Sequence, residues 1–279
     1  MRGLSLAHLG RLQSALFFLW HDQEVDEFGR DALFADVLEP LFDLLYRRWW
    51  RVQARGLEHV PGHGPALIVS NHSGVLPWDG AMIKRAIRRE HPAGRDCRML
   101  MLDMFALLPF LAPALVKHGE VRADPHNALR LLRKGALVGV FPEGVKGVGK
   151  YYRDRYRLAR FGRGGYVRVA LRSGAPIVPC AVVGAEEVHP VLARADWIGH
   201  RLGFPYFPIT ATFPWLGLLG LVPLPSRWTI EFGPPLETAS YGAAAAADPI
   251  LVNRLSEQVR DTVQAMIDER LAQRRSVWS

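Results

Sequence analysis

"ALIVSNHSGVLPWDG" runs from Ala66 to Gly80. Its first five residues are a short apolar run of strand type. A histidine follows, His72, then Gly74 and Pro77, two residues that interrupt regular structure, and then Asp79. In one straight helix His72 and Asp79 would stand about 10 Å apart, at about 1.5 Å per residue, whereas a hydrogen bond needs heavy atoms within about 3 Å. The pair can touch only if the chain folds back between them, which Gly74 and Pro77 allow. The stretch therefore reads as strand, turn and helix. His72 lies just past the carboxyl end of the strand, where open α/β sheets build their sites, and Asp79 opens the next helix. Taken alone, the same residues also suit a plain turn in which Asp79 is an N-cap and His72 a satisfied polar residue.

Outward from this stretch the pattern repeats. Short apolar runs at 97–101, 136–141, 175–184 and 227–233 read as strands, and 80–90, 126–134 and 163–173 read as helices between them. The alternation predicts an α/β fold: a largely parallel mixed sheet flanked by helices. A C-terminal helix is expected over 248–273, with Leu251, Leu255, Val259, Val263, Met266 and Ile267 on one face. Residues 5–20 and 31–50 read as amphipathic N-terminal helices. The second ends in "YRRWWR", where Tyr46, Trp49 and Trp50 sit among three arginines, a mixture suited to a lipid–water boundary or to a basic helix end in water. The organisation expected is an N-terminal segment over 1–50 in contact with a membrane, a main domain over 51–240, and a helical tail over 241–279 that packs on it.

The 279 residues carry a formal charge of +8 and are 49% hydrophobic. That composition supports a sizeable core and excludes compositional disorder. The positive charge favours anionic partners such as lipid head groups or acidic carriers. The arginines are scattered rather than gathered into an arm, and no nucleic-acid partner is expected. Cys97 and Cys180 form no spaced pattern, which fits a reducing compartment. The ten histidines do not cluster as ligands, and no metal or resident cofactor is expected. Neither a cleavable signal nor an uninterrupted apolar run of about 18 residues is present. The segment 203–225 is almost wholly apolar yet holds five prolines. It reads as a loop that wraps the core or dips into a bilayer interface, with Phe204, Tyr206, Phe207, Phe213 and Trp215 among head groups.

A second motif, "VGVFPEGVKG" at 138–147, ends a strand in Phe-Pro-Glu-Gly and adds a cation, Lys146. With "NHSGVLPWD", "GEVRADPHNA" (119–128) and "APIVPCAVVGAEE" (175–187), it supplies four ordered blocks. In order and spacing these resemble the glycerolipid acyltransferase superfamily, typified by lysophosphatidate acyltransferases, over roughly residues 50–240. "RYRLARFGRGGYVRVALRSGAPIVPCAVVGAEE" looks like the branch that includes diacylglycerol acyltransferase-like proteins. The resemblance implies a glycerol-3-phosphate acyltransferase-like fold. It also implies transfer of a fatty acyl group from a thioester of coenzyme A or acyl carrier protein, as co-substrate, to a lipid hydroxyl. His72 would be the general base and Asp79 its orienting carboxylate. Asn71, Arg122, Glu143, Gly144 and Lys146 would be the substrate-binding set, with Glu143 binding the acceptor or arranging the site and Gly144 permitting close backbone approach.

The chain departs from the family pattern in places. Six residues separate His72 from Asp79 where four are usual. The family's second-block arginine falls on Pro125, with Arg122 as the nearby substitute, and Lys146 stands for the usual arginine. Lysine keeps the charge but not the bidentate fork, which favours a neutral acceptor such as diacylglycerol or another lipid alcohol. The apolar stretch 101–116 is a candidate wall for the acyl chain. The implied location is the cytoplasmic face of a membrane, peripheral or monotopic. "GVKGVGKY" (144–151) approaches a phosphate-binding loop but puts Tyr151 where a hydroxyl must meet Mg²⁺; a mobile loop near the donor or head group is the reading preferred. The rival class is a non-catalytic lipid-binding or scaffold protein on the same fold, which a His72–Asp79 separation beyond about 5 Å would favour.

Overall fold

The computed structural model describes residues 24–103 and 110–278. The expected helix at 5–20 lies outside the described residues. Nine strands are present among the described residues: β1 (Gln53–Arg55), β2 (Ala66–Ser70), β3 (Cys97–Met101), β4 (Val121–Arg122), β5 (Leu137–Val140), β6 (Ile177–Val183), β7 (Val191–Arg194), β8 (Pro208–Thr210) and β9 (Thr229–Phe232). Seven form one sheet in the order β1-β9-β6-β2-β5-β3-β4. All neighbours are parallel except β6 and β9. The sheet is thus the largely parallel mixed one that the alternation of strands and helices predicts.

Both faces of the sheet are covered, so its central strands are apolar on both sides. Alternate residues of β2 feed two cores. Leu67 and Val69 join helices Pro125–Arg133, Gly165–Ser173 and Pro249–Gln273 on one face. Ala66 and Ile68 join helix Trp78–Glu90, Tyr46, Trp50 and Trp228 on the other. Helix Ala32–Leu44 is capped by Asp31, whose carboxylate accepts from the Phe34 N–H. It continues as one wider turn over Leu45–Trp49. Tyr46 and Trp50 are buried there, and Trp50 stacks on Trp228 at 4.6 Å.

The order of the central strands positions the site. β5 and β6 enter the sheet on opposite sides of β2, so connections leave β2 and β5 in opposing directions at their carboxyl ends. That is the crevice in which open α/β sheets hold ligands. His72 follows β2 and Glu143 follows β5. Between β6 and β9 the chain makes an excursion holding the β7–β8 pair. This excursion contains the proline-rich segment 203–225. Tyr206 turns inward and is buried, which corrects the expectation that it faces head groups. The residues most exposed are Leu218, Leu219 and Trp215, at 83%, 74% and 70%, with Leu216 and Val222 beside them. No helix among the described residues is long and apolar enough to cross a membrane.

Candidate active site

Asp79 sits in the first turn of helix Trp78–Glu90 and is fully buried. Its Oδ2 accepts from the Ser73 N–H at 2.9 Å and the Ser73 hydroxyl at 3.2 Å, and its Oδ1 accepts from the Gly80 N–H at 2.8 Å. These donors draw the 73–78 loop around the carboxylate. The six-residue spacing therefore does not part the pair: His72 Nδ1 lies 2.7 Å from Asp79 Oδ2. A carboxylate that already accepts from three donors leaves Nδ1–H as the donor to it. Nε2 is then the free ring nitrogen, and it has no hydrogen-bond partner among the described residues. A widened gap would be the support for the scaffold alternative, and the contact removes it.

The imidazole is held on three more sides. Its ring stacks on Phe141, centroids 4.1 Å apart and planes within 10°. Its backbone N–H donates to Glu143 Oε1 at 3.0 Å. Gly147 lies against it so closely that an added Cβ would stand 2.9 Å from the Cβ of His72 and 2.9 Å from that of Glu143. Glu143 is buried, and its Oε2 accepts from the Ala159 N–H at 2.7 Å. Lys150 bridges Glu143 and Glu186 at 3.2 Å and 3.3 Å. Burial pushes the Glu186 carboxyl up to about 7 against the pull of Lys150.

Phe141 and His72 stand at one wall of an apolar cleft of about 250 Å³. Helix Ala32–Leu44 contributes Leu38, Leu41 and Phe42, and Met99–Leu102 and Leu111, Ala114 and Leu115 form further walls. Of the 101–116 stretch, Met101, Leu102, Leu111, Ala114 and Leu115 line the cleft; residues 104–109 lie outside the described residues. Gly139 in β5 makes room for this wall, since a Cβ there would fall 2.2 Å from Met99 Sδ. Where His118 and Glu120 line it, the cleft meets a polar knot in which Lys84 Nζ donates to Glu120 at 2.8 Å and contacts His118 Nδ1 at 2.9 Å. Burial would raise the Glu120 carboxyl, but Lys84 and His118 outweigh it and hold it down to about 2.

The other residues expected to bind substrate divide. Lys146 is exposed and makes no ion pair among the described residues. Gly144 has φ +57° and ψ −139°, a conformation open essentially to glycine alone, and a Cβ there would meet nothing within 4 Å. Space is open in front of its backbone. Asn71 is a correction. It is fully buried, with Oδ1 accepting from the Val182 N–H at 2.8 Å and Nδ2 donating to the Val182 carbonyl at 2.9 Å, so it clips β2 to β6 and presents no exposed surface to a substrate. Arg122 is a second correction. It sits on the outermost strand, exposed, with both ends of its guanidinium on Asp103 at 2.7 Å and 3.0 Å. Glu143 meets His72 from its backbone side, accepting the His72 N–H at 3.0 Å. The 144–151 stretch is no loose loop either: Val145–Val148 is a short helix, Gly147 to Gly149 are buried, and Lys150, at the lysine position of a phosphate loop, is spent on two carboxylates.

Ser73, Phe141, Gly147, Lys150 and Glu186 join the site; all five lie within stretches the sequence marks, but nothing local marks their contacts. Gly147, the second glycine of "FPEGVKG", and Glu186, in "GAEE", lie inside motif blocks; their roles depend on elements that meet only in the fold.

Residues 51–183 match the acyltransferase family model. An uncharacterised protein of Mycobacterium tuberculosis is 48% identical over 258 residues, covering 92% of this chain and 72% of that protein. A human "DGAT1/2-independent enzyme synthesizing storage lipids" is 25% identical over 227 residues, 79% of this chain and 62% of its own length. In fold, the chain is similar to the 1-acyl-sn-glycerophosphate (LPA) acyltransferase PlsC of Thermotoga maritima, with a TM-score of 0.56 at 15% identity over 95% of this chain and 89% of that one. The ordered blocks, the sheet and these likenesses agree: the chain belongs to the glycerolipid acyltransferase superfamily.

Proposed function

We propose that this protein moves a fatty acyl group from an acyl thioester to the hydroxyl of a glycerolipid. The observation that carries the reading is the 2.7 Å His72–Asp79 contact at the wall of an apolar cleft. With Nδ1–H held by Asp79, Nε2 takes the proton of the acceptor hydroxyl as its oxygen attacks the thioester carbonyl. The tetrahedral intermediate collapses with cleavage of the C–S bond, and the imidazolium returns that proton to the thiolate. Asp79 stabilises the imidazolium between these steps. The cleft takes the acyl chain, with about 0.8 kcal/mol favouring each methylene buried.

Coenzyme A or acyl carrier protein as donor suits the +8 charge, and exposed Lys146 is free to meet a donor phosphate. The acceptor is a neutral lipid alcohol. Its support is the lack of a built phosphate clamp among the described residues: Pro125 stands at the arginine position and Arg122 is committed to Asp103. Access to such lipids comes at a membrane surface, and the exposed Trp215, Leu216, Leu218 and Leu219 form an apolar prominence suited to the interface. The test is thiol release from an acyl thioester, with and without lipid alcohol. His72→Ala should lower turnover at least 100-fold, within the range of about 10²–10⁴ for a lost general base; unchanged turnover would end this mechanism.

A further inference from the structure

A second concave site lies at the β1 edge of the sheet. It is a groove of about 340 Å³ between β1, β9 and the end of helix Pro249–Gln273, on the face of the sheet that this helix covers. Five arginines wall it: Arg55, Arg227, Arg270, Arg274 and Arg275. Two of them are fixed by acids. Arg270 pairs with Glu231 at 2.9 Å and with Glu269, and Arg274 grips Glu187 with both guanidinium nitrogens. Arg55, Arg227 and Arg275 have no carboxylate in ion-pair range among the described residues. The carboxyl end of the helix contributes only about half a negative charge. A surplus of more than one positive charge therefore remains around a recess large enough for a small ligand.

Arg270 and Arg274 tie the helix end to the sheet, whereas the three unpaired guanidiniums make no hydrogen bond among the described residues and have no part in that attachment. Thr229 and the Gln53 amide add neutral donors to the same recess, while the Gln273 amide is engaged by Glu269 and Arg270. Planar forks converging from a strand and from a helix end suit the tetrahedral oxygens of phosphate, which they can bind two at a time. At the neighbouring chain end, Trp278 is 58% exposed and its carbonyl accepts from Arg51, so an amphipathic ring flanks this basic region.

We propose that this groove is an anion site, separate from the His72 cleft, that binds a phosphate-bearing group. Phosphate chemistry can come from a soluble phosphate compound or from an anionic lipid head group, and two probes separate them. Calorimetry of the full chain with inorganic pyrophosphate tests the first; flotation with phosphatidylcholine vesicles, with and without phosphatidate, tests the second. The variants are the Arg55→Ala/Arg227→Ala pair and, as a control of equal charge, Arg133→Ala/Arg172→Ala, two exposed arginines elsewhere. The groove pair should weaken binding about 100-fold, roughly tenfold for each arginine removed from a charge-assisted hydrogen bond, and the control pair less than about twofold. Pyrophosphate binding that fails in the groove pair assigns a soluble ligand; phosphatidate-dependent flotation that fails in the groove pair assigns a head group. Absence of binding by the unaltered chain to either probe, or equal weakening in both pairs, overturns the proposal.

Discussion

Gly147→Ala isolates the placement of the imidazole from its chemistry. The new methyl would lie 2.9 Å from the Cβ atoms of both His72 and Glu143 and 3.3 Å from the His72 carbonyl oxygen. Carbon atoms in contact sit about 3.5 Å apart or more, so the shortfall is about 0.6 Å against each Cβ. Both atoms are stems, not flexible tips, and cannot swing aside. His72 is further pinned by Asp79, Phe141 and the Glu143 carboxylate, so relief must come from its backbone or from the short helix Val145–Val148. The stability cost is set by two opposed effects. Overpacking costs about 1–3 kcal/mol, while replacing glycine by alanine in a helix returns up to about 1 kcal/mol. The net destabilisation, about 1–2 kcal/mol, should lower Tm by only a few degrees at this size. Misplacing a catalytic group by about 1 Å can cost about 100-fold in rate. The expected outcome is a folded protein whose thioester turnover falls between about 10- and 100-fold. Turnover by thiol release and Tm by circular dichroism should be read on the same sample. Turnover within about threefold of the unaltered chain, with Tm unchanged, would refute the claim that this glycine sets the position of His72.

Further outcomes follow from the same geometry. Asp79→Asn should cut kcat by about 10³–10⁴ by removing the tautomer that leaves Nε2 free, measured as turnover at saturating thioester with the fold checked by near-UV circular dichroism. Glu186 binds its proton more tightly folded than unfolded, because burial raises its carboxyl to about 7 from an ordinary 4.5. Its contribution is fully present below 4.5 and is lost as pH rises through 7. Urea unfolding should therefore show Glu186→Gln gaining stability relative to the unaltered chain as pH rises from 4.5 to above 7, and parallel pH profiles would count against a buried, proton-holding Glu186. Leu218→Asp/Leu219→Asp alters side chains 83% and 74% exposed, so Tm should hold while flotation with liposomes drops sharply; undiminished flotation would place membrane contact elsewhere.

Much of the fold is legible in the sequence because periodicity is a local property. The runs at 66–70 and 97–101 are strands to the residue, and the expected 248–273 helix is observed as Pro249–Gln273, begun by the Asp248 cap. Breakers at Gly74 and Pro77 allow His72 and Asp79 to meet, and the motif order points to the superfamily. The neighbours of each side chain are not legible. Asn71 looks like a site residue beside His72, yet β6 arrives from over a hundred residues away and takes both ends of its amide through Val182. Arg122 looks like a spare phosphate ligand until Asp103 is seen to hold it. Within 203–225 apolarity is plain, but whether an aromatic packs inward, as Tyr206 does, or projects, as Trp215 does, depends on what stands opposite.

By itself the sequence determined the strand and helix pattern, the two-sided apolar strands and the presence of a histidine with a carboxylate in reach, since each follows from the spacing of residue types along a short length of chain. Only the tertiary structure decided that β5 and β6 flank β2, that Glu143, Gly147 and Phe141 grip His72, and that five arginines from three distant segments face one groove. Those arrangements arise when burying apolar surface brings distant segments together, and no local pattern along the chain encodes the partner that each side chain then meets.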